Sequence, residues 1–282
     1  MMAAVLGAGE LGGALAQKLA ARGRFAEVRI IDPARSVAAG KALDIQQSSP
    51  LGAFATRLSG DDDPASAAGA AVIGVADVSG PQSAEWSGEA ALALMKRVAR
   101  LTAAPIVCAG TSQRPLMAAA VRELHLPTPR MVGSAPAALE AAVKAIVALE
   151  ARGSTSDVQL SIVGVPPDRV VIGWEHATIA GGSLLAAIEP PTRSRIQARI
   201  PSLWPPGPTS LAAAAARVME AAAGGSRRQF TCFAAVRAPR SQELRVAAVP
   251  VQFEPGGIHR IVRTTLTVQE QVLFENALEA QA

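Results

Sequence analysis

Residues 3–32 read AAVLGAGELGGALAQKLAARGRFAEVRIID, and this stretch has the pattern of a βαβ unit. A short apolar run precedes the glycines, and apolar or small residues then recur at helical spacing from Leu11 to Leu19. A second apolar run, Val28 to Ile31, indicates a buried parallel strand. The turn between the first strand and the helix has the spacing G-x-G-x-x-G. The sequence therefore predicts an α/β fold that begins with a Rossmann-type unit.

The glycine turn also predicts a dinucleotide site. Gly7 permits a tight turn, Gly9 lets the backbone approach a pyrophosphate at the helix N-terminus, and Gly12 lets the helix pack closely on the sheet. Asp32 lies 20 residues after Gly12, where a carboxylate would bind the adenosine ribose hydroxyls and repel a 2′-phosphate. We therefore expect NAD to be preferred over NADP. The residues assigned to the cofactor are Gly7, Gly9, Glu10, Leu11, Gly12 and Asp32. Alternatively, the glycines serve only helix packing and no ligand binds.

The rest of the chain divides into two patterns. Strands and helices alternate up to residue 135, with strands predicted at 70–75, 105–108 and 131–132 and helices at 88–101 and 114–124. After a helix at 136–152, the segments 158–163 and 170–174 alternate like an antiparallel pair, residues 190–208 form a Pro-rich break, and further helices and strands follow. We predict a doubly wound parallel sheet in residues 1–135 and an α+β domain in residues 136–282.

Composition excludes several functional classes. Half of the residues are apolar and 18% are charged, which is typical of a globular protein with a sizeable core. The net charge is +4 and the basic residues are scattered, so we expect no nucleic-acid partner. Apolar runs are too short for a membrane span, and the N-terminus lacks the pattern of a secretory signal. Cys108 and Cys232 have no metal-ligand spacing, so we expect a cytoplasmic protein without a metal site.

Several further segments resemble the malate/lactate dehydrogenase family, and the resemblance covers nearly the whole chain. GKALDI at 40–45 is similar to the family's helix after the second strand, and residues 164–181 match the stretch that begins at its catalytic histidine. Residues 212–220 and 249–262 are similar to the Ala-rich helix after the active-site lid and to the final hairpin. The resemblance implies an NAD-dependent oxidoreductase fold and a homodimer or homotetramer that pairs through the helix at 38–46.

The same resemblance implies a histidine base, a carboxylate that orients it, and two arginines for the substrate. In the ungapped match, the histidine position holds Pro166, which can neither accept nor donate a proton. The family's Leu-Asp-Ser-Ala-Arg segment is Leu139–Val143 here. Glu140 therefore stands at the carboxylate position and Val143 at the substrate arginine, while Lys144 points about 100° further round the helix.

The family's mobile active-site loop corresponds to residues 78–86. No Arg or Lys occurs between Arg57 and Lys96, so both loop arginines are lost whatever the alignment. The loop is also shorter and carries Glu85, whose charge would repel a dicarboxylate. Ala109–Thr111 replaces the family's Thr-Asn-Pro turn under the nicotinamide.

Three functions remain open. We favour a non-catalytic or re-purposed family member, a pseudoenzyme that binds a dinucleotide. The second is an NAD-dependent oxidoreductase for a different hydroxy or oxo substrate, with His176 or Glu140 as a displaced catalytic group. The third is a malate or lactate dehydrogenase with relocated catalytic residues. His125 and His259 are expected at the surface.

Overall fold

The computed structural model describes residues 1–81 and 84–280. The strands are β1 (Met2–Leu6), β2 (Glu27–Ile31), β3 (Arg57–Asp61), β4 (Val72–Val75), β5 (Ile106–Cys108), β6 (Met131–Gly133), β7 (Val158–Gln159), β8 (Ile162–Val165), β9 (Arg169–Ile172), β10 (Thr178–Ile179), β11 (Gly182–Ser183), β12 (Ser226–Arg237), β13 (Leu244–Glu254) and β14 (Gly257–Ile261). The α-helices are α1 (Glu10–Arg22), α2 (Arg35–Gln47), α3 (Ser49–Gly52), α4 (Gly88–Leu101), α5 (Arg114–Glu123), α6 (Ala135–Glu150), α7 (Leu184–Ala187), α8 (Pro190–Arg199), α9 (Pro208–Gly224) and α10 (Val268–Glu279).

The first of two compact units contains a parallel sheet with the strand order β3-β2-β1-β4-β5-β6. This is the order of the Rossmann fold, so the predicted fold class is confirmed. β1 and β4 are buried almost throughout because each lies between two neighbouring strands. β3 was not predicted, since its sequence RLSGD contains a single large apolar residue and lies at the edge of the sheet.

The first unit comprises Met1–Ala135, Gly207–Arg228 and Gln252–His259. The predicted single boundary at residue 135 therefore omits two later segments of this unit. α9 belongs to it because the helix packs against α1 and places the Met219 side chain over Gly74 in β4. Arg22 and Glu220 join the two helices by a bidentate ion pair with distances of 2.6 and 2.7 Å.

The second unit contains the antiparallel strand order β12-β13-β8-β9 and a small sheet of the order β11-β10-β7. β8 and β9 pair with Ile162 opposite Ile172. The predicted strand 158–163 is thus divided between two sheets, since β7 pairs with β10. The core of this unit is aliphatic and includes Leu139 and Val143 of α6.

The predicted break at 190–208 is wrong in its first half, which forms α8 and a short 3-10 helix at Ile200–Leu203. Pro190 and Pro191 occupy the first turn of α8, where a missing backbone N–H breaks no helical hydrogen bond. Ile196 then provides a buried face for the helix. None of the helices in the described part of the chain is long and apolar enough to cross a membrane.

Candidate functional site

The glycine turn lies where the strand order of the first unit reverses, between β1 and β4. Gly7 has a φ of +113°, and its N–H donates to the carbonyl of Ile31 at 2.7 Å. α1 then begins at the exposed residue Glu10. Because β1 and β4 are adjacent and parallel, the residues that follow them meet at one edge of the sheet. This edge is where open α/β sheets bind their ligands.

Asp77, two residues after β4, occupies the glycine turn. Its backbone carbonyl accepts the N–H of Gly9 at 3.0 Å, and its carboxylate accepts the N–H groups of Leu11 at 3.1 Å and Gly12 at 2.7 Å. The residue is only 4% exposed. A methyl group on Gly9 would lie closer than 3.0 Å to this carboxylate. The sequence predicts that the N–H groups of Leu11 and Gly12 bind a pyrophosphate. In the structure they instead donate to the side chain of Asp77.

The environment of Asp77 opposes its charge. Burial raises the pKa of Asp77, while the hydrogen bonds from Gly12 and Leu11 and the charge of Lys41 act in the opposite direction without cancelling the effect of burial. Lys41 of α2 lies beside the turn, with its ammonium 2.9 Å from the carbonyl of Gly9. The turn therefore holds a buried carboxylate with one neighbouring ammonium.

Asp32, which the sequence assigns to the ribose, also accepts hydrogen bonds from groups of the protein itself. Oδ2 accepts the N–H groups of Ala8 at 2.8 Å and Ser79 at 2.9 Å, and Oδ1 accepts the N–H of Ala34 at 2.9 Å and the hydroxyl of Ser79 at 2.5 Å. Burial disfavours the charged form, but the hydrogen bonds outweigh it and lower the pKa of Asp32. Each oxygen accepts two hydrogen bonds, which fills the usual capacity of a carboxylate.

The third carboxylate, Glu85, lies on the segment between β4 and α4. The N–H of Val78 donates to Ala84 at 2.9 Å, and Asp77 and Glu85 form an antiparallel bridge. Glu85 accepts the N–H groups of Thr111 and Ser112, each at 2.8 Å, together with both of their hydroxyls. Gln82 and Ser83 of the predicted loop lie outside the described residues.

Sequence reasoning missed Asp77, Ser79 and Glu85 as ligands of these backbone groups. One signal was available for Asp77, which follows a strand predicted to be buried and parallel to the strand before the glycine turn. The carboxyl ends of such strands meet at one edge, so an acidic residue there faces the N-terminus of α1. Nothing local marks Ser79 or Glu85, because their partners are 47 and 26 residues away.

The candidate catalytic residues lie in the second unit and are not hydrogen-bonded to each other. Glu140, on α6, accepts the ammonium of Lys144 at 2.6 Å and the hydroxyl of the buried residue Thr231. His176 is exposed in the segment after β9. Pro166 is buried at the start of the turn between β8 and β9, and Val143 is fully buried in the core.

The remaining histidines and the two cysteines lie outside the Glu140 cluster. His125 and His259 are exposed, and His259 lies 3.1 Å from Glu254. Burial, assisted by the charge of Glu85, raises the pKa of Cys108 to about 12, and burial likewise raises that of Cys232. Both thiols are therefore protonated at neutral pH. No three His, Cys, Asp or Glu side chains of the described residues could together hold a metal ion.

The strand order and the glycine turn at its reversal define a Rossmann-type α/β protein. No protein-family model matches the chain. It is 31% identical to the malate dehydrogenase of Roseobacter denitrificans over 302 residues, which cover 98% of this chain and 93% of that protein. The chain belongs to the malate/lactate dehydrogenase family.

Solved structures share the fold at lower identity. The malate dehydrogenase of Salinibacter ruber superposes with a TM-score of 0.87 at 22% identity, covering 98% of this chain and 94% of that one. The lactate dehydrogenase of Cryptosporidium parvum, solved with lactic acid and nicotinamide adenine dinucleotide, gives a TM-score of 0.85 at 20% identity and covers 99% of this chain and 94% of that one.

Proposed function

We propose that this protein is a family member with a dismantled 2-hydroxy-acid site, and that it does not oxidise malate or lactate at the rate of an ordinary dehydrogenase. The observation that carries this proposal is the absence of any Arg or Lys from residue 58 to residue 95. A carboxylate substrate then lacks the loop cations that would bind it and polarise its carbonyl. The shortened loop instead places a carboxylate, Glu85, on Thr111 and Ser112.

The proton-transfer groups support the same proposal. Pro166 cannot act as a base, and the carboxylate of Glu140 is already bound by Lys144 and Thr231. Loss of a general base costs about 10²–10⁴-fold, and loss of electrostatic groups costs comparable factors. Together these losses remove the means to hold the acid, polarise it and accept its proton.

The proposed cofactor is NAD, bound at Gly7–Gly12 and Asp32. The glycine turn at the switch point supports a dinucleotide, as does the bound NAD of the Cryptosporidium parvum lactate dehydrogenase. The negative charge of Asp32 supports NAD over NADP, because a 2′-phosphate would be repelled. The small-molecule partner remains unassigned. The proposed compartment is the cytoplasm, where two free thiols such as those of Cys108 and Cys232 stay reduced.

We further propose self-association, as a homodimer or homotetramer, through α2 and the residues that follow it. Leu43 is 58% exposed and Leu51 is 94% exposed, which leaves apolar surface on this segment. Sedimentation at micromolar concentration should give a dimer or a larger species, and Leu43→Ser should weaken it. Leu149→Ser, at another exposed leucine, is the matched control. A monomeric native protein contradicts this part of the proposal.

The decisive experiment measures turnover of oxaloacetate and pyruvate with NADH, between about pH 6 and pH 9, on protein freed of host dehydrogenases. We expect rates several orders of magnitude below those of active family members. Pro166→His should not restore activity, since groups that act as a unit are strongly non-additive. A turnover of about 10–10³ s⁻¹, within the general enzyme range, contradicts the proposal.

A different outcome favours the second candidate function. The Glu140–Lys144–Thr231 cluster is a partly buried charged group that a re-purposed enzyme could use. Hydride transfer to another hydroxy or oxo acid would identify such an enzyme. Activity lost in Glu140→Gln and retained in Glu150→Gln, on the same helix, would then assign the reaction to this cluster.

A further inference from the structure

We propose that the carboxylate of Asp77 is an internal anion that occupies the pyrophosphate position of the glycine turn, so that a dinucleotide binds only when this side chain leaves. This inference rests on the proposed dinucleotide site and adds how that site is regulated. The protein in this state is held closed to phosphates by one of its own residues.

The first support is the identity of the donors. A pyrophosphate at a helix N-terminus is bound by the free backbone N–H groups of the first turn. At α1 these include Leu11 and Gly12, and both donate to Asp77. Gly9, whose small size would let a phosphate approach, is instead covered by the same carboxylate. Ligand and side chain therefore compete for the same hydrogen bonds and for the same space.

The second support is that Asp77 is not an ordinary helix cap. A capping residue directly precedes its helix, whereas Asp77 is 65 residues away from Gly12 in sequence. It is brought to the turn by the pairing of β1 with β4. The N-cap of α1 is Gly9, which has no side chain to contribute. The negative group at the N-terminus of α1 is thus the carboxylate of Asp77, which follows β4. It lies at the position where this fold binds a ligand.

The third support is charge. Three carboxylates lie at this edge of the sheet, and each accepts backbone N–H groups. Asp32 follows β2, Asp77 follows β4, and Glu85 contacts the residues that follow β5. Lys41 is the cation whose charge acts on Asp77. A pyrophosphate would add two negative charges beside Asp77 in a buried turn, where like charges repel strongly. Removal of the Asp77 charge should therefore favour phosphates and should have no effect on a ligand without them.

The charge of Asp77 is only partly compensated by its partners. Burial raises the pKa of Asp77, which means that the hydrogen bonds and Lys41 do not fully offset the cost of burying its charge. The apparent affinity of a ligand falls in proportion to the fraction of molecules with an open site. An occupied turn therefore weakens dinucleotide binding without abolishing it.

The test compares the native chain with Asp77→Asn, which keeps the size of the side chain and removes its charge. Leu11 and Gly12 donate to different oxygens of Asp77, and asparagine replaces one of these acceptors by an NH2 donor, so one of the two hydrogen bonds is lost and the contact is weakened. Glu123→Gln, exposed in the last turn of α5, removes one charge elsewhere in the same unit. The probes are inorganic pyrophosphate, NADH and adenosine, each titrated by calorimetry.

We expect Asp77→Asn to bind pyrophosphate and NADH at least about tenfold more tightly than the native chain, with adenosine unchanged. Glu123→Gln should match the native chain with all three probes. Equal affinities in the native chain and Asp77→Asn overturn the inference, as does a gain that extends to adenosine. Tight NADH binding by the native chain without turnover overturns it too, while the proposed function stands. Turnover of malate or lactate instead contradicts the proposed function.

A second measurement keeps the test valid if Asp77→Asn does not fold. In the native chain, the amide resonances of Leu11 and Gly12 should not move when pyrophosphate is added at about 1 mM, a concentration typical of metabolites. A saturable shift of both resonances at micromolar pyrophosphate would show that the donors are free, and would overturn the inference.

Discussion

The glycine turn of the first unit and the Glu140 cluster of the second show two ways in which a binding region can change within one family. In the turn, the family's glycine spacing persists, but Asp77 fills the space that the glycines leave. In the Glu140 cluster, the proposed function has the family's charged groups replaced, and the carboxylate of Glu140 forms an ion pair with Lys144 at 2.6 Å.

The difference has a physical reason. A methyl group on Gly12 would meet the backbone carbonyl of Gly7 closer than 3.0 Å, so this glycine is required by helix packing whether or not a ligand binds. Charged catalytic side chains have no such packing role, and burying them is costly unless they are paired. A persistent glycine motif is therefore weaker evidence for a ligand than a persistent set of catalytic charges.

The largest expected effect on stability is at Gly12. Comparing Gly12→Ala with Gly13→Ala tests whether helix packing, rather than a ligand, requires the glycine at position 12. Gly12→Ala should destabilise the fold by about 3 kcal/mol, because the methyl group meets backbone that cannot move aside. Gly13→Ala should stay within about 1 kcal/mol of the native chain, since its methyl group meets the flexible end of Lys41 at 2.8 Å and alanine favours the helix. Chemical denaturation measures both. Equal effects would show that packing does not explain the retained glycine.

A smaller effect is expected at Asp32. Asp32→Ala leaves the buried N–H of Ala8 without its acceptor, which costs about 1–3 kcal/mol at neutral pH. The lowered pKa of Asp32 sets the sign of the pH dependence. Its contribution is fully present above the pKa of the unfolded chain and is lost as the pH falls through the lower folded value.

Two measurements check this prediction. Denaturation of the native chain and Asp32→Ala should converge in acid, and a difference that grows in acid would contradict the assigned sign. The same variant should lose most of the preference for NAD over NADP, and retention of that preference would assign selectivity to another residue. Asp62→Ala, an exposed carboxylate in a 3.7 Å pair with Arg35, is the control.

The smallest effect tests whether the Glu140 cluster is a structural unit. A double-mutant cycle with Glu140→Ala and Thr231→Val should give a coupling of about 1 kcal/mol, because the hydroxyl of Thr231 is buried and loses its acceptor. The matched cycle on Glu150 and Arg195 should give less, since that pair is exposed and screened by solvent. A coupling free energy between Glu140 and Thr231 no larger than that between Glu150 and Arg195 would contradict a structural role for Glu140.

Most of the secondary structure could be predicted because it depends on local patterns. The helix at Gly88–Leu101 was predicted at its observed bounds, and α1 ends at Gly23 in the left-handed conformation that glycine favours. β3 and α8 were not predicted. β3 is a polar edge strand, and α8 begins with two prolines, which predict a break from sequence although they also fit the first turn of a helix.

The sequence by itself determined the family, the Rossmann-type beginning and the absence of any Arg or Lys from residue 58 to residue 95, because these depend on residue type, spacing and presence along the chain. Only the tertiary structure decided the occupant of the glycine turn. Asp77 reaches Leu11 and Gly12 through the parallel pairing of β1 with β4, and Glu85 reaches Thr111 and Ser112 across 26 and 27 residues. Hydrogen bonds between distant segments depend on which strands become neighbours, and local sequence patterns do not specify those partners.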